Sequence, residues 1–98
     1  MPMIESFADK NTEQVWNSEP CKKLPADIQD GAREVMNIID MLDKAENLLK
    51  SPGLKAHKLT ERGRDNLWSL RINKQWRVIF DWSEEAQSAH NVEITDYH

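Results

Sequence analysis

The sequence predicts an α+β domain, because helical periodicity fills residues 25–49, strand-like alternation fills most of residues 57–98, and the two patterns are not interleaved. The strongest single signal lies in residues 66–82, which carry Trp68, Trp76 and Trp82, three of the four tryptophans. Two β-rich runs, 67–72 and 76–82, flank the polar triplet Asn73-Lys74-Gln75, which is the pattern of a β-hairpin. Helices followed by strands point to an antiparallel or mixed sheet with helices mainly on one face.

Residues 3–8 alternate apolar and polar side chains and read as a short first strand, with Met3, or less regularly Ile4 and Phe7, facing inward. Residues 9–17 can form a short helix with Asp9 as its cap and Val15 and Trp16 as apolar contacts, and Pro20 ends it. Over 25–49 the apolar residues Ile28, Ala32, Val35, Ile39, Leu42 and Leu49 fall on one helical stripe, widened by Met36 and Ile38. Pro25 suits the first position of this long helix, and Asp27 and Asp30 suit the positive end of its dipole. Its outer face is acidic through Glu34, Asp40, Asp43 and Glu46. Ser51-Pro52-Gly53 stops it. Residues 57–60 read as a short strand and 61–65 as a charged loop placing Arg62 and Arg64 near the hairpin. After the hairpin come a polar turn at 83–88 and a final strand at 89–98, with Val92 and Ile94 apolar.

The hairpin register is argued from side-chain chemistry. With Asn73-Lys74 alone as the loop, Arg71 would face Trp76 and both faces would mix arginine with large apolar groups. One further residue at the turn places Ile72 opposite Trp76 and Arg71 opposite Arg77. One face then carries Trp68, Leu70, Ile72, Trp76, Val78, Phe80 and Trp82. The other carries Leu67, Ser69, Arg71, Arg77, Ile79 and Asp81. A one-residue slip would send the apolar set to the wrong side, so the second register is expected, with the two arginines meeting on a half-polar surface.

Ninety-eight residues make one domain, 1–98, with a single core and room for function only on its surface. No apolar run approaches the ~20 residues that span a bilayer, and no basic-then-apolar leader opens the chain, so a cytoplasmic location with no membrane contact is expected. Cys21 is the single cysteine, which excludes an internal disulfide. The net charge of −4 is unevenly spread. Residues 50–77 hold eight basic side chains against Glu61 and Asp65, a balance of +6, and the remainder stands at −10. Such a split lets one segment meet phosphates while the rest meets a basic partner, or else leaves both as solvated surface.

The polar groups of interest are His57, Lys58, Arg62, Arg64, Arg71, Arg77 and the terminal Asp96-Tyr97-His98. The histidines, His57, His90 and His98, lack metal-ligand spacing, and glycine-rich phosphate loops are absent, so no metal and no cofactor are expected. Cleavage of RNA through its ribose 2′-hydroxyl needs neither: a base takes the 2′ proton, an acid protonates the leaving 5′ oxygen, and cations hold the phosphorane. Histidine titrates near cellular pH, and arginine offers phosphate a planar, permanently charged fork. Two arginines face to face repel unless an anion or carboxylate lies between them, which favours a phosphate site, with Asp81 as the competing neutraliser. His57 as a half-buried strand residue and the terminal tripeptide as a polar strand end are the structural alternatives.

The run Leu67-Trp68-Ser69-Leu70-Arg71-Ile72-Asn73-Lys74-Gln75-Trp76-Arg77-Val78-Ile79-Phe80, followed by Val92-Glu93-Ile94-Thr95-Asp96-Tyr97-His98, resembles the HigB group of the RelE-like toxins. Ile4-Glu5-Ser6-Phe7 and Ser51-Pro52-Gly53 with His57-Lys58-Leu59 extend the resemblance over nearly the whole chain. It implies a RelE-like fold, a small curved and mainly antiparallel sheet packed against two N-terminal helices. It implies the toxin of a type II toxin–antitoxin pair, an mRNA interferase cutting mRNA in the ribosomal A site. A HigA-like helix-turn-helix antitoxin is the implied partner, with operator DNA met only through the toxin–antitoxin complex. Carried onto this sequence, His57 and His98 match acid/base positions, Asp96 an assisting carboxylate, Tyr97 a base contact and Arg77 the phosphate arginine. Lys58, Arg62, Arg64 and Arg71 extend the RNA-binding set by charge and register. Where the family often has Leu-Lys-Gly, this chain has Leu59-Thr60-Glu61-Arg62.

Overall fold

The computed structural model describes residues 3–59 and 66–96. Helix α1 spans Lys10–Trp16 and α2 spans Ala26–Asp40; 3-10 helices follow at Ala45–Lys50 and Pro52–Leu54. Strands β1 (His57–Leu59), β2 (Leu67–Arg71), β3 (Trp76–Ser83) and β4 (Ser88–Asp96) form one antiparallel sheet in sequence order. The architecture is α+β, with both helices packed against the sheet on the side of β3 and β4. The predicted loop at 61–65 and the end of the predicted strand at Thr60 lie outside the described residues.

The first helix starts where its cap predicts. Asp9 is extended and its Oδ1 accepts from the Thr12 N–H at 2.7 Å. Thr12 is fully buried, and its hydroxyl oxygen accepts the Ile94 N–H at 3.0 Å, fastening α1 to β4. Pro25 stands one position outside α2, as its N-cap.

The long helix expected over 25–49 ends at Asp40. Carboxylates are unfavourable at the negative end of a helix dipole, and no basic residue occupies the last turn. Here the Asp40 carboxylate is satisfied by the N-terminal segment, accepting from the N–H groups of Met3 (2.8 Å) and Ile4 (3.1 Å). The chain then tightens to three residues per turn, so Leu42, Ala45 and Leu48 point inward and Leu49 stands 59% exposed. Leu49 is thus not on the buried stripe, and neither is Ile38, which is 40% exposed.

Residues 3–8 do not form a continuous strand; Ile4 and Phe7 make isolated parallel bridges to Ala89 and Val92. The irregularity has its cause in β4. Between the pairs Ile79–Glu93 and Asp81–His90 the register shifts, with one extra residue on β4. Asn91 takes a positive φ of 55° there, a conformation asparagine tolerates better than most side chains. The bulge lets Ala89 and Val92, three apart, both face the core, and Ile4 and Phe7 match that spacing.

The hairpin has the expected register. Ile72 donates to the Trp76 carbonyl at 2.9 Å, and Asn73 Oδ1 accepts from the N–H groups of Gln75 and Trp76, both at 2.8 Å. Arg71 is the partner of Arg77, and Trp68 of Phe80. Trp68, Leu70, Val78, Phe80 and Trp82 are buried against Val35, Met36 and Ile39 of α2, while Ile72 and Trp76 pack at the margin. Gly31 permits close approach of α2 to the hairpin tip, since a Cβ there would stand 3.3 Å from Ile72 Cγ2. The second face is less open than expected. Leu67, Ser69 and Ile79 on it are buried, because β2 and β3 are interior strands, with Leu59 opposite Leu67 and Glu93 opposite Ile79.

Candidate active site

Alternation along each strand assigns side chains to faces, and paired residues share a face. On the face turned away from α2, β1 contributes His57 (opposite Ser69), β2 contributes Arg71, β3 contributes Arg77, and β4 contributes Thr95 opposite Arg77. The row His57, Arg71, Arg77, Thr95 therefore crosses all four strands, with His57 one diagonal step from Arg71. Arg77 is half-buried, its Nε and Nη1 closed off from solvent. Directly opposed residues bring their Cβ atoms to about 5 Å, so the paired arginines concentrate two positive charges over a small area.

Asp81 does not lie between them. It pairs with Leu67, about 13 Å along the strand from Arg77 at the usual rise per residue, and accepts from Asn91 Nδ2 at 3.0 Å. Glu93, diagonal to Arg77 and on the same face, is nearer by register. Arg77, Asp81 and Asp96 each make a further interaction within the chain.

His57 is exposed rather than half-buried. Its Nδ1 lies 3.1 Å from the Lys55 carbonyl oxygen. A carbonyl only accepts, so Nδ1 is the donor in this contact, and in the neutral tautomer it selects Nε2 carries the lone pair. Lys55 holds a positive φ of 45°, which turns the chain at the entry to β1.

Two of the expected site residues fall on the opposite parity. Lys58 pairs with Trp68, and its ammonium sits 5.8 Å from the centroid of that ring, on the side of the sheet facing the helices. Asp96 pairs with Trp76, and its Oδ2 accepts from Gln75 Nε2 at 2.9 Å. Arg62, Arg64, Tyr97 and His98 lie outside the described residues. Thr95 and Glu93 were missed by sequence reasoning, because only the pairing of the last strand with the hairpin, bulge included, shows which of its residues share the arginine face.

A helix-backed antiparallel sheet with Arg77 on its other face is the arrangement the resemblance to RelE-like toxins calls for, and the pairing with Arg71 follows from the hairpin register. The family model described as "RelE-like toxin of type II toxin-antitoxin system HigB" matches residues 5–98. Toxin HigB-1 of Vibrio cholerae serotype O1 is 32% identical over 82 residues, which cover 82% of this chain and 84% of that protein. The chain belongs to the HigB-like family of RelE-like toxins and is the toxin of a type II toxin–antitoxin system, which implies an antitoxin partner. No helix among the described residues is long and apolar enough to cross a membrane.

Proposed function

We propose that this chain, a single toxin domain over 1–98, is a cytoplasmic endoribonuclease that inhibits translation by cutting mRNA in the ribosomal A site. The observation that carries the reading is the cross-strand pair Arg71–Arg77 on the face that also bears His57. The two guanidinium groups hold the scissile phosphate through charge-assisted hydrogen bonds. His57, with Nε2 free to accept, takes the 2′ proton. The 2′ oxygen attacks phosphorus and the bond to the 5′ oxygen breaks, giving a 2′,3′-cyclic phosphate and a 5′-hydroxyl. His98 returns a proton to that leaving oxygen, Tyr97 stacks on the base, and Asp96 assists at the end of β4. Arg62 and Arg64 hold flanking phosphates, while Lys58, over the Trp68 ring on the other side of the sheet, stands apart from them. No metal or cofactor takes part. The partner is a HigA-like helix-turn-helix antitoxin, and the pair meets operator DNA through that antitoxin.

The attachment of Asp96 to Gln75 favours one second reading, a weakly catalytic toxin acting mainly as the antitoxin-binding half of an autoregulated complex. Primer-extension mapping of mRNA ends after induction separates the two. Codon-positioned cuts that vanish in Arg77→Ala or on deletion of His98 support the nuclease. Cuts at wild-type level in both variants reject these residue assignments, and growth arrest without any cut rejects the reaction.

A further inference from the structure

The acidic outer surface of the helical layer has no role in that reaction, yet it holds the exposed large apolar side chains found among the described residues. Among the described residues the exposed large apolar side chains are Ile38, Met41 and Leu49, at 40%, 82% and 59%. Ile38 lies on the outer face of the last turn of α2, Met41 is its C-cap, and Leu49 belongs to the 3-10 helix that follows. Ile38, Met41, Leu42 and Leu48 line a cleft of about 310 Å³ whose rim includes Asp43 and Asn47. Asp43 is shared with a second cleft of about 350 Å³, lined by Lys44, Glu46, Glu84 and Trp82. An apolar cleft thus adjoins one with three carboxylates and one lysine. Glu34, one helical turn before Ile38, adds a further exposed acid.

We infer that the paired clefts around Asp43 are the docking surface for a basic amphipathic helix of the antitoxin. Its apolar side chains enter the Ile38–Met41–Leu48 cleft while its Lys or Arg residues meet Asp43, Glu46 and Glu84. Charge complementarity selects the occupant: this surface belongs to the part of the chain with a balance of −10, so an acidic partner or a nucleic acid is repelled. A helix fits better than an added strand, because helices and 3-10 turns line the apolar cleft and offer no unpaired β-ladder to extend. Since α2 covers the tryptophan face of the sheet, a helix bound on its outer side leaves Arg71 and Arg77 uncovered. The inference rests on the antitoxin half of the reading above.

The test is a calorimetric titration of the full-length chain with the product of the neighbouring antitoxin gene, at low and at physiological salt. Variants are Ile38→Lys/Met41→Lys, Asp43→Lys/Glu46→Lys, and Arg71→Ala on the far face. Exposure of the substituted positions keeps the fold intact, which thermal melts check. Both lysine pairs should weaken binding at least about tenfold, the wild-type affinity should fall as salt rises, and Arg71→Ala should leave it unchanged. Wild-type protein that does not bind overturns the antitoxin reading itself. Wild-type binding with unaltered affinity in both lysine pairs overturns the docking surface alone. So does a wild-type dimer, seen in sedimentation, that Met41→Lys dissociates while antitoxin affinity is kept.

Discussion

Arg71 and Arg77 are direct partners across the β2–β3 ladder, on the face of the sheet that bears His57 and Thr95. Like charges opposite one another weaken a sheet unless an anion or carboxylate lies between them, and Asp81, the carboxylate on the hairpin's own face, lies four pairs further along, while Glu93 of β4 stands diagonal to Arg77. The pair presents two permanent positive charges to an anion. Arg77→Ala is expected to lower the frequency of mRNA cuts by about 10²-fold or more, as loss of a group facing developing charge does. Arg71→Ala, whose side chain is farther from β4, should cost less. Quantified primer extension in translating cells checks both.

His57 and Lys58 are adjacent in sequence and divided by the sheet. His57→Gln should cost about 10²–10⁴-fold in cleavage, the range for a general base, with thermal stability unchanged. Lys58→Gln should act chiefly on the fold, removing a cation–π contact worth about 0.5–1 kcal/mol at an exposed site. Equal loss of cleavage in the two variants, at equal stability, would show that Lys58 reaches the arginine face.

The bond from Ile94 N–H to the Thr12 hydroxyl is buried and joins the first helix to the last strand. Thr12→Val keeps the shape and strands the Ile94 donor, so a loss of about 1–3 kcal/mol is expected in urea denaturation. Thr12→Ser, which keeps the acceptor, should recover most of it.

At the β4 bulge, Asn91→Ala loses both its tolerance of positive φ and its bond to Asp81, for an expected cost of about 1–2 kcal/mol. Asn91→Gly loses the bond alone and should unfold later than the alanine variant. Phe80→Ala, at a fully buried position edge-on to Trp82, should cost about 3–5 kcal/mol.

Much of this molecule was legible in the chain. The hairpin register followed from side-chain chemistry alone, because only one pairing separates Trp68, Trp76 and Phe80 from Arg71 and Arg77. Asp9 announced its helix through its own capping carboxylate. The helix over 25–49 was less legible, because Leu48 and Leu49 both fit an inward stripe. Period 3.6 chooses Leu49, period 3 chooses Leu48, and the bonds from Met3 and Ile4 to Asp40 favour the tighter path. The candidate site was legible by residue type and less so by direction, since local alternation says nothing of which strand lies beside which.

By itself the sequence determined the α+β class, the hairpin and its two faces, and the separation of a basic segment from an acidic remainder. These are local properties of spacing and charge. Only the tertiary structure decided that His57 and Thr95 join the arginine row, that Lys58 and Asp96 carry the other parity, and that Ile38 and Met41 stand out beside Asp43. The faces of His57 and Lys58 follow from the pairing of β1 with β2, those of Thr95 and Asp96 from the pairing of β4 with β3, and the exposure of Met41 from the end of α2 at Asp40; contacts between distant segments set all three.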